Sequence, residues 1–254
     1  MKPLHIENEK FLKLDGNLFI FSDPGLVGHF GTADYGWSAD SYQGVLTPDD
    51  TLTNNRFPSS TGGPDMTNPK STWRYQESFN GESGVQYYRS AGSDNTQVTI
   101  SDTLTTGFTF FSCGSGYSTG IGARDSYICS FNGAKVYILH GSDYTGSYIR
   151  IYAIANFTMP APEIDPGGNG KWAFAFRFDK INGIVTTWYH TELNGDFTDS
   201  AEAGSSPTSV GVLTVGGGDS PGIWVIGDTY LYLDSLSDVL VLEKLEVIKS
   251  KYGI

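Results

Sequence analysis

The clearest alternation of apolar and polar positions falls at residues 171–178. There Trp172, Phe174, Phe176 and Phe178 alternate with Lys171, Ala173, Ala175 and Arg177. A period of two puts the four rings on one face of a strand, where they would fill the space between two sheets. The following DKINGIV predicts a turn into a second strand over residues 184–191. Short runs rich in β formers recur at 18–21, 26–30, 73–79, 85–88, 97–100, 108–113, 147–155, 210–215, 223–226 and 236–242, separated by Gly, Ser, Asn and Asp. Asn132-Gly133, between runs at 127–131 and 134–140, is the strongest short hairpin signal. Only residues 243–251 have helix-like composition. This pattern predicts an all-β protein, a two-sheet antiparallel jelly-roll sandwich with a short C-terminal helix.

Domain organisation follows from the same pass. Residues 1–12 are short and mixed, and read as an N-terminal arm able to dock on a neighbour. Residues 13–254 read as one sandwich domain, a length that a single large core can serve. Within it, residues 47–72 are turn-rich, with Pro48, Pro58, Pro64 and Pro69, and predict a long surface loop insertion.

Charge narrows the function classes. The formal net charge is −12 and there is no basic run. Nucleic-acid binding, which needs clustered Lys and Arg to displace phosphate counterions, is therefore a poor fit, as is an anionic membrane surface. The N-terminal MKPLHIENEKFLKL lacks the apolar core of a secretory signal. No run approaches the ~18 apolar residues of a membrane span. The expectation is a soluble chain without membrane insertion, not exported by the usual route. Cys113 and Cys129 leave two alternatives open, a cross-strand disulfide or two partly buried free thiols.

Several segments resemble the concanavalin A-like/laminin G-like jelly-roll family found in phage and bacterial surface proteins. Residues 236–242 (LSDVLVL) look like the family's last strand, followed by the tail EKLEVIKSKYGI closing on Tyr252-Gly253-Ile254. Phe79-Asn80-Gly81 ahead of residues 85–88 resembles another family strand, and residues 106–111 resemble the next. Residues 172–178 with 184–189 resemble the central hairpin, and residues 213–217 the strand after it; Asn194-Gly195 stands where the family often carries Asn-Gly. The resemblance covers roughly residues 73–254, and the 47–72 insertion departs from it.

The resemblance admits hydrolases that carry a Glu-x-Asp-x-x-Glu set. The only echo is Glu163-Ile164-Asp165, with no second Glu at the needed offset and Pro166 interrupting the would-be strand. Retaining hydrolysis needs two carboxyls about 5–5.5 Å apart, so no catalytic residue is assigned. The histidines (His5, His29, His140, His190) show no zinc spacing, and P-loop and nucleophile-elbow motifs are missing. No cofactor is implied. Calcium, common in the family, could be held by the loop acids Asp94, Asp125, Asp143 and Asp219 with Asn95, although solvated turn carboxylates are the simpler reading.

Sugar recognition would use aromatic faces with planar polar partners near loop tips. Tyr117, Arg124, Asp125, Tyr144 and Trp188 are the candidate ligand-binding residues, with period two equally able to bury Trp188 in a core. Three functions are weighed. The leading one is a non-enzymatic structural or adhesive component of a particle surface, such as a phage capsid decoration or tail appendage. Its partners would be other structural proteins of the virion, further copies of itself as a homo-oligomer, and a host-surface glycan. A free carbohydrate-binding lectin and a glycoside hydrolase on the same fold are the alternatives.

Overall fold

The computed structural model describes the backbone of residues 9–14, 17–22, 25–30, 56–57, 61, 63–64, 66–67, 74–79, 82–89, 96–118, 124–131, 134–140, 147–152, 157–161, 171–191, 195–215 and 222–254. Side chains are described for 25–30, 61, 63–64, 97–114, 129–131, 171–191, 195–215 and 227–254. In chain order the elements are β1 (Glu9–Leu14), β2 (Asn17–Ser22), β3 (Leu26–Phe30), β4 (Arg56–Phe57), β5 (Met66–Thr67), β6 (Arg74–Phe79), β7 (Glu82–Arg89), β8 (Thr96–Thr103) and β9 (Gly107–Ser118). They continue as β10 (Arg124–Phe131), β11 (Ala134–His140), β12 (Ser147–Tyr152), β13 (Phe157–Ala161), β14 (Lys171–Asp179), β15 (Ile184–Thr191), β16 (Gly195–Glu202), β17 (Ser209–Val215), β18 (Gly222–Tyr232) and α1 (Asp238–Tyr252).

The strands form two antiparallel sheets facing one another. One runs β16-β15-β14-β9-β18-β7-β6, with β3 pairing the later part of β18; the other runs β13-β12-β11-β10-β17-β8-β5-β4. This is the expected all-β sandwich with its C-terminal helix. The short strands β4 and β5 extend the second sheet beyond β8, so the 47–72 segment contributes strand edge as well as turns. The expected boundary between arm and domain at residue 12 falls inside β1, which pairs with β2 in a separate two-stranded ribbon.

Pleat alternation builds two cores from the first sheet. On its inner face, Phe108 and Phe110 of β9 join Trp172, Phe174, Phe176 and Phe178 of β14, Val185 and Tyr189 of β15 and Leu231 of β18. These meet Val98, Ile100, Phe131, Leu213 and Val215 from the opposing sheet. Phe108 packs edge to face on Phe131 with centroids 4.7 Å apart. Each fully buried aromatic contributes about 1.5–3 kcal/mol through removal from water. On the outer face, Phe111, Cys113, Ala173, Ala175, Trp188, Tyr230 and Tyr232 form a second buried layer under α1. The two cysteines lie in different layers, Cys113 under the helix and Cys129 between the sheets, as buried free thiols. Burial raises both thiol pKa values, with Asp228 adding to the rise at Cys113.

The helix corrects one sequence expectation. Residues 236–242 read as a strand, yet α1 begins at Asp238. The Ser237 hydroxyl accepts from the Leu240 N–H, satisfying a donor of the first turn, and Asp238 complements the helix dipole. Val241, Leu245, Ile248 and Tyr252 then recur at helical spacing and bury one stripe on the sheet. Gly253 ends the helix in the left-handed region at φ 62°, and the Ile254 N–H bonds the Lys249 carbonyl at 3.0 Å.

Candidate functional site

Strand register defines the two ends of the sandwich. At one end the turns are bound together. The Leu104 N–H bonds Thr208 O at 2.8 Å, the Lys180 N–H bonds Thr106 O at 2.9 Å, and the Ala203 N–H bonds Gly183 O at 2.7 Å. Lys180 Nζ donates to Leu104 O at 2.7 Å, and Thr109 Oγ1 donates to Asp234 O at 2.8 Å. Gly107, with φ +142°, lies here, where a Cβ would stand 1.9 Å from the Phe178 carbonyl oxygen.

The other end is a rim of strand ends. Register sets Lys171 opposite Ser115 and Gly222 opposite both Ser118 and Arg89, bringing β14, β9, β18 and β7 together there. In the second sheet Arg124 lies opposite His140, and His140 opposite Ser147, so β10, β11 and β12 meet at the same end. The short path from Ser118 to Arg124 joins the two sheets at this rim. Segments 90–95, 119–123, 141–146, 162–170, 192–194 and 216–221 connect these ends and lie outside the described residues.

Tyr117 is in the last turn of register on β9, opposite Ile223, while Arg124 and Asp125 open β10, opposite His140 and Leu139. Their side chains, and Tyr144 entirely, lie outside the described residues, but Tyr144 falls in the segment joining β11 to β12 at this rim. Trp188 lies elsewhere. It is 4% exposed, on the helix-covered face, with the Arg177 guanidinium 4.9 Å from its ring centroid. Its ring is committed to the second core and is not presented to a ligand. The Glu163-Ile164-Asp165 echo, Asp94, Asn95, Asp143 and Asp219 also fall outside the described residues.

Below the rim, the helix end is held by a polar cluster that the sequence gives little sign of. Asp228 is fully buried at an irregularity in β18, where the register with β9 shifts between Ile226 and Thr229. Its Oδ2 accepts from Tyr230 Oη at 3.0 Å and from Lys251 Nζ at 2.7 Å, and its Oδ1 accepts from Tyr252 Oη at 2.7 Å. His29, stacked on Tyr230 at 4.2 Å between centroids, brings Nε2 to 3.6 Å from Oδ2, close enough for electrostatic attraction but long for a hydrogen bond. Burial alone would push the carboxyl pKa up; His29 and Lys251 more than offset it and hold Asp228 well below the usual carboxylate range. Burial and this carboxylate push the Tyr230 and Tyr252 hydroxyls upward, with Cys113 also adding to the rise.

Tyr230, Tyr252 and Lys251 thus all donate to one buried carboxylate, an arrangement that suits a fastener. It fixes the C-terminal turn of α1, whose Gly253 carbonyl accepts from Lys171 Nζ at 3.1 Å, on the strand that opens at the rim. Lys249 adds a bond to Asp196 Oδ1 at 3.2 Å, and His190 Nδ1 meets the same oxygen at 2.7 Å. Among the described residues, no three His, Cys, Asp or Glu side chains converge as a metal-ligand set. Among those residues, too, no helix is long and apolar enough to cross a membrane.

No family model matches the chain, and no curated protein sequence matches it. Solved structures do share its fold. Trypanosoma rangeli sialidase in complex with sialic acid superimposes with a TM-score of 0.56 at 9% identity, over 89% of this chain and 33% of the sialidase. The binding domain of botulinum neurotoxin DC in complex with rat synaptotagmin II gives 0.52 at 13% identity, over 82% of this chain and 52% of that one. A botulinum neurotoxin type C structure, described as dependent on two ganglioside molecules for cell entry, gives 0.50 at 13% identity, over 80% and 50%. The chain spans about a third of the sialidase and about half of the toxin chains. At these identities the likeness is one of fold, a β-sandwich.

Proposed function

We propose that this protein is a non-enzymatic glycan-binding module that takes its ligand at the loop-bearing rim. The observation that carries the reading is the convergence of Tyr117, Arg124, Asp125 and the segment holding Tyr144 at one end of the sandwich, opposite the end whose turns are bonded together. Loops carried on a rigid scaffold are a common place for a recognition site. Aromatic faces with an Arg and an Asp beside them are the groups that stack on a sugar ring and bond its hydroxyls. The related folds include one solved with sialic acid and one whose cell entry involves gangliosides, which makes sialylated glycans the first to try.

The absence of a second Glu around Glu163-Ile164-Asp165 favours binding over hydrolysis. The adhesive role on a phage or other particle surface rests on the sequence resemblance, and would turn this rim toward a host glycan. Glycan-array binding by the full chain, with and without calcium, tests the reading. Tyr117→Ala and Arg124→Ala are expected to lower the signal at least about tenfold, the loss of one stacked or charge-assisted contact. No binding to any glycan in either condition would remove the proposal, and release of reducing ends from a bound glycan would replace it with the hydrolase. Co-sedimentation of the chain with intact particles separates the particle role from a free lectin.

A further inference from the structure

The first sheet stops at β16, which pairs with β15 and, among the described residues, with no strand beyond it. Register fixes which backbone groups are left over. The Ala203 N–H bonds Gly183 O at 2.7 Å, one step past the pairing of Ile184 with Glu202, so the odd-numbered residues of β16 bond β15. The N–H and C=O groups of Asp196, Thr198, Ser200 and Glu202 then point away from the sheet, and these four residues are exposed. The Ser200 N–H agrees with this: it bonds a side chain, Asp199 Oδ1 at 2.8 Å, and not the neighbouring strand.

The side chains along this edge are unfinished too. Phe197 and Ala201 pack against the inter-sheet core but are only half-buried, with the exposed Asp199 between them on the same face. Edge strands are guarded against pairing by charges, proline or a bulge. In β16 the register with β15 is unbroken and the sequence GDFTDSAE holds neither proline nor a basic residue, so the only guard is negative charge. Lys249 meets that charge at Asp196, whereas among the described residues no cation pairs with Asp199 or Glu202. A guard of one sign repels strands of the same sign and admits the opposite.

We propose that the β16 edge is a docking site for a basic extended polypeptide, which adds to the sheet as a further strand. Its backbone takes up the outward groups of residues 196–202. One of its carbonyls replaces Asp199 Oδ1 on the Ser200 N–H, and the released carboxylate meets a Lys or Arg. The fitting sequence places apolar side chains opposite Phe197 and Ala201 with a basic one between them. A second copy of this chain fits poorly, because pairing β16 with itself sets the acids of two edges against one another. The edge holds none of the candidate ligand residues, so the proposal stands or falls separately from glycan binding.

A fluorescein-labelled peptide of the order Lys-Val-Thr-Lys-Thr-Val-Lys, matched to residues 196–202, tests it by fluorescence anisotropy with the full chain. The same peptide with Glu in place of Lys is the control. The account expects binding of the Lys peptide alone, with slowed amide hydrogen exchange at Thr198 and Glu202 in the complex. Thr198→Pro removes an outward N–H while sparing the ladder to β15, and should weaken binding at least about tenfold. Asp199→Lys with Glu202→Lys should transfer binding from the Lys peptide to the Glu peptide. Failure of the Lys peptide to bind the wild type overturns the proposal. So does binding without slowed exchange at Thr198 and Glu202, which would be charge adhesion only, and this readout needs no variant to fold. Self-association of the chain that Thr198→Pro dissolves also overturns it, because the edge would then belong to a second copy.

Discussion

The Tyr252 hydroxyl is tied to Asp228 twice: it donates to the carboxylate Oδ1 at 2.7 Å and accepts from the backbone N–H of the same residue at 2.9 Å. One oxygen on the last turn of α1 thereby satisfies both a buried charge and a buried donor at the irregular point of β18. Tyr252→Phe keeps the ring and removes both bonds. It should cost about 2–4 kcal/mol, because a hydrogen bond to a charge is lost and the Asp228 N–H is left unpaired. A urea midpoint for the variant within error of the wild type would show that the cluster does not hold the helix.

The same carboxylate sets an acid limit. Its folded pKa lies below the unfolded value near ~3.9, so its contribution is fully present above that value and fades as pH falls toward the folded one. Urea midpoints should stay flat on going from neutral to mildly acidic solution and drop below pH about 4. Asp179 and Asp196 are lowered as well and add to the drop. The difference between wild type and Asp228→Asn isolates the buried group: it should be largest at neutral pH and shrink in acid. A pH-independent difference would count against an ionised Asp228.

Gly227 lies tight against Cys113 and the Tyr252 ring of α1. A Cβ there would stand 2.6 Å from Cys113 Sγ and 2.9 Å from two Tyr252 ring atoms. Gly227→Ala should destabilise by about 1–3 kcal/mol through overpacking. Adding Cys113→Ala removes the nearer obstacle and should recover part of the loss. If Gly227→Ala alone is neutral in chemical denaturation, the close approach is not a constraint.

Arg177 anchors the other end of α1. Its Nη1 reaches the Leu236 carbonyl at 2.7 Å and Asp238 Oδ1 at 2.6 Å. Asp238 is 68% exposed, so the ion pair contributes little, and the bond to Leu236 O should dominate. Arg177→Met, which retains an unbranched side chain over Trp188, should cost about 1 kcal/mol and speed amide hydrogen exchange in the first turn of α1 while sparing the last.

How far the sequence could be read depends on how local each signal is. The spine at Trp172, Phe174, Phe176 and Phe178 was legible because alternation states the inner face directly, and all four are buried between the sheets. The helix start was not, because Val239-Leu240-Val241 has the β-branched look of a strand; the Ser237 cap and the 241–245–248–252 spacing decide it. Trp188 looked available for a sugar because nothing near it in sequence reveals that α1, some fifty residues on by sequence number, covers its face. The Asp228 cluster draws on His29, Tyr230, Lys251 and Tyr252, which only the tertiary fold brings together. The one local sign is an acidic residue, Asp228, within the strand-forming run 222–232.

The central claim, that the rim binds glycan without cleaving it, is tested most directly by glycan-array binding of the full chain. The comparison is between the wild type, the Tyr117→Ala/Arg124→Ala double variant, and Asn182→Ala at the opposite end of the sandwich. The account expects binding by the wild type and Asn182→Ala and its loss in the rim variant, with all three equally stable. Binding that survives the rim substitutions, or that disappears with Asn182→Ala instead, would contradict it.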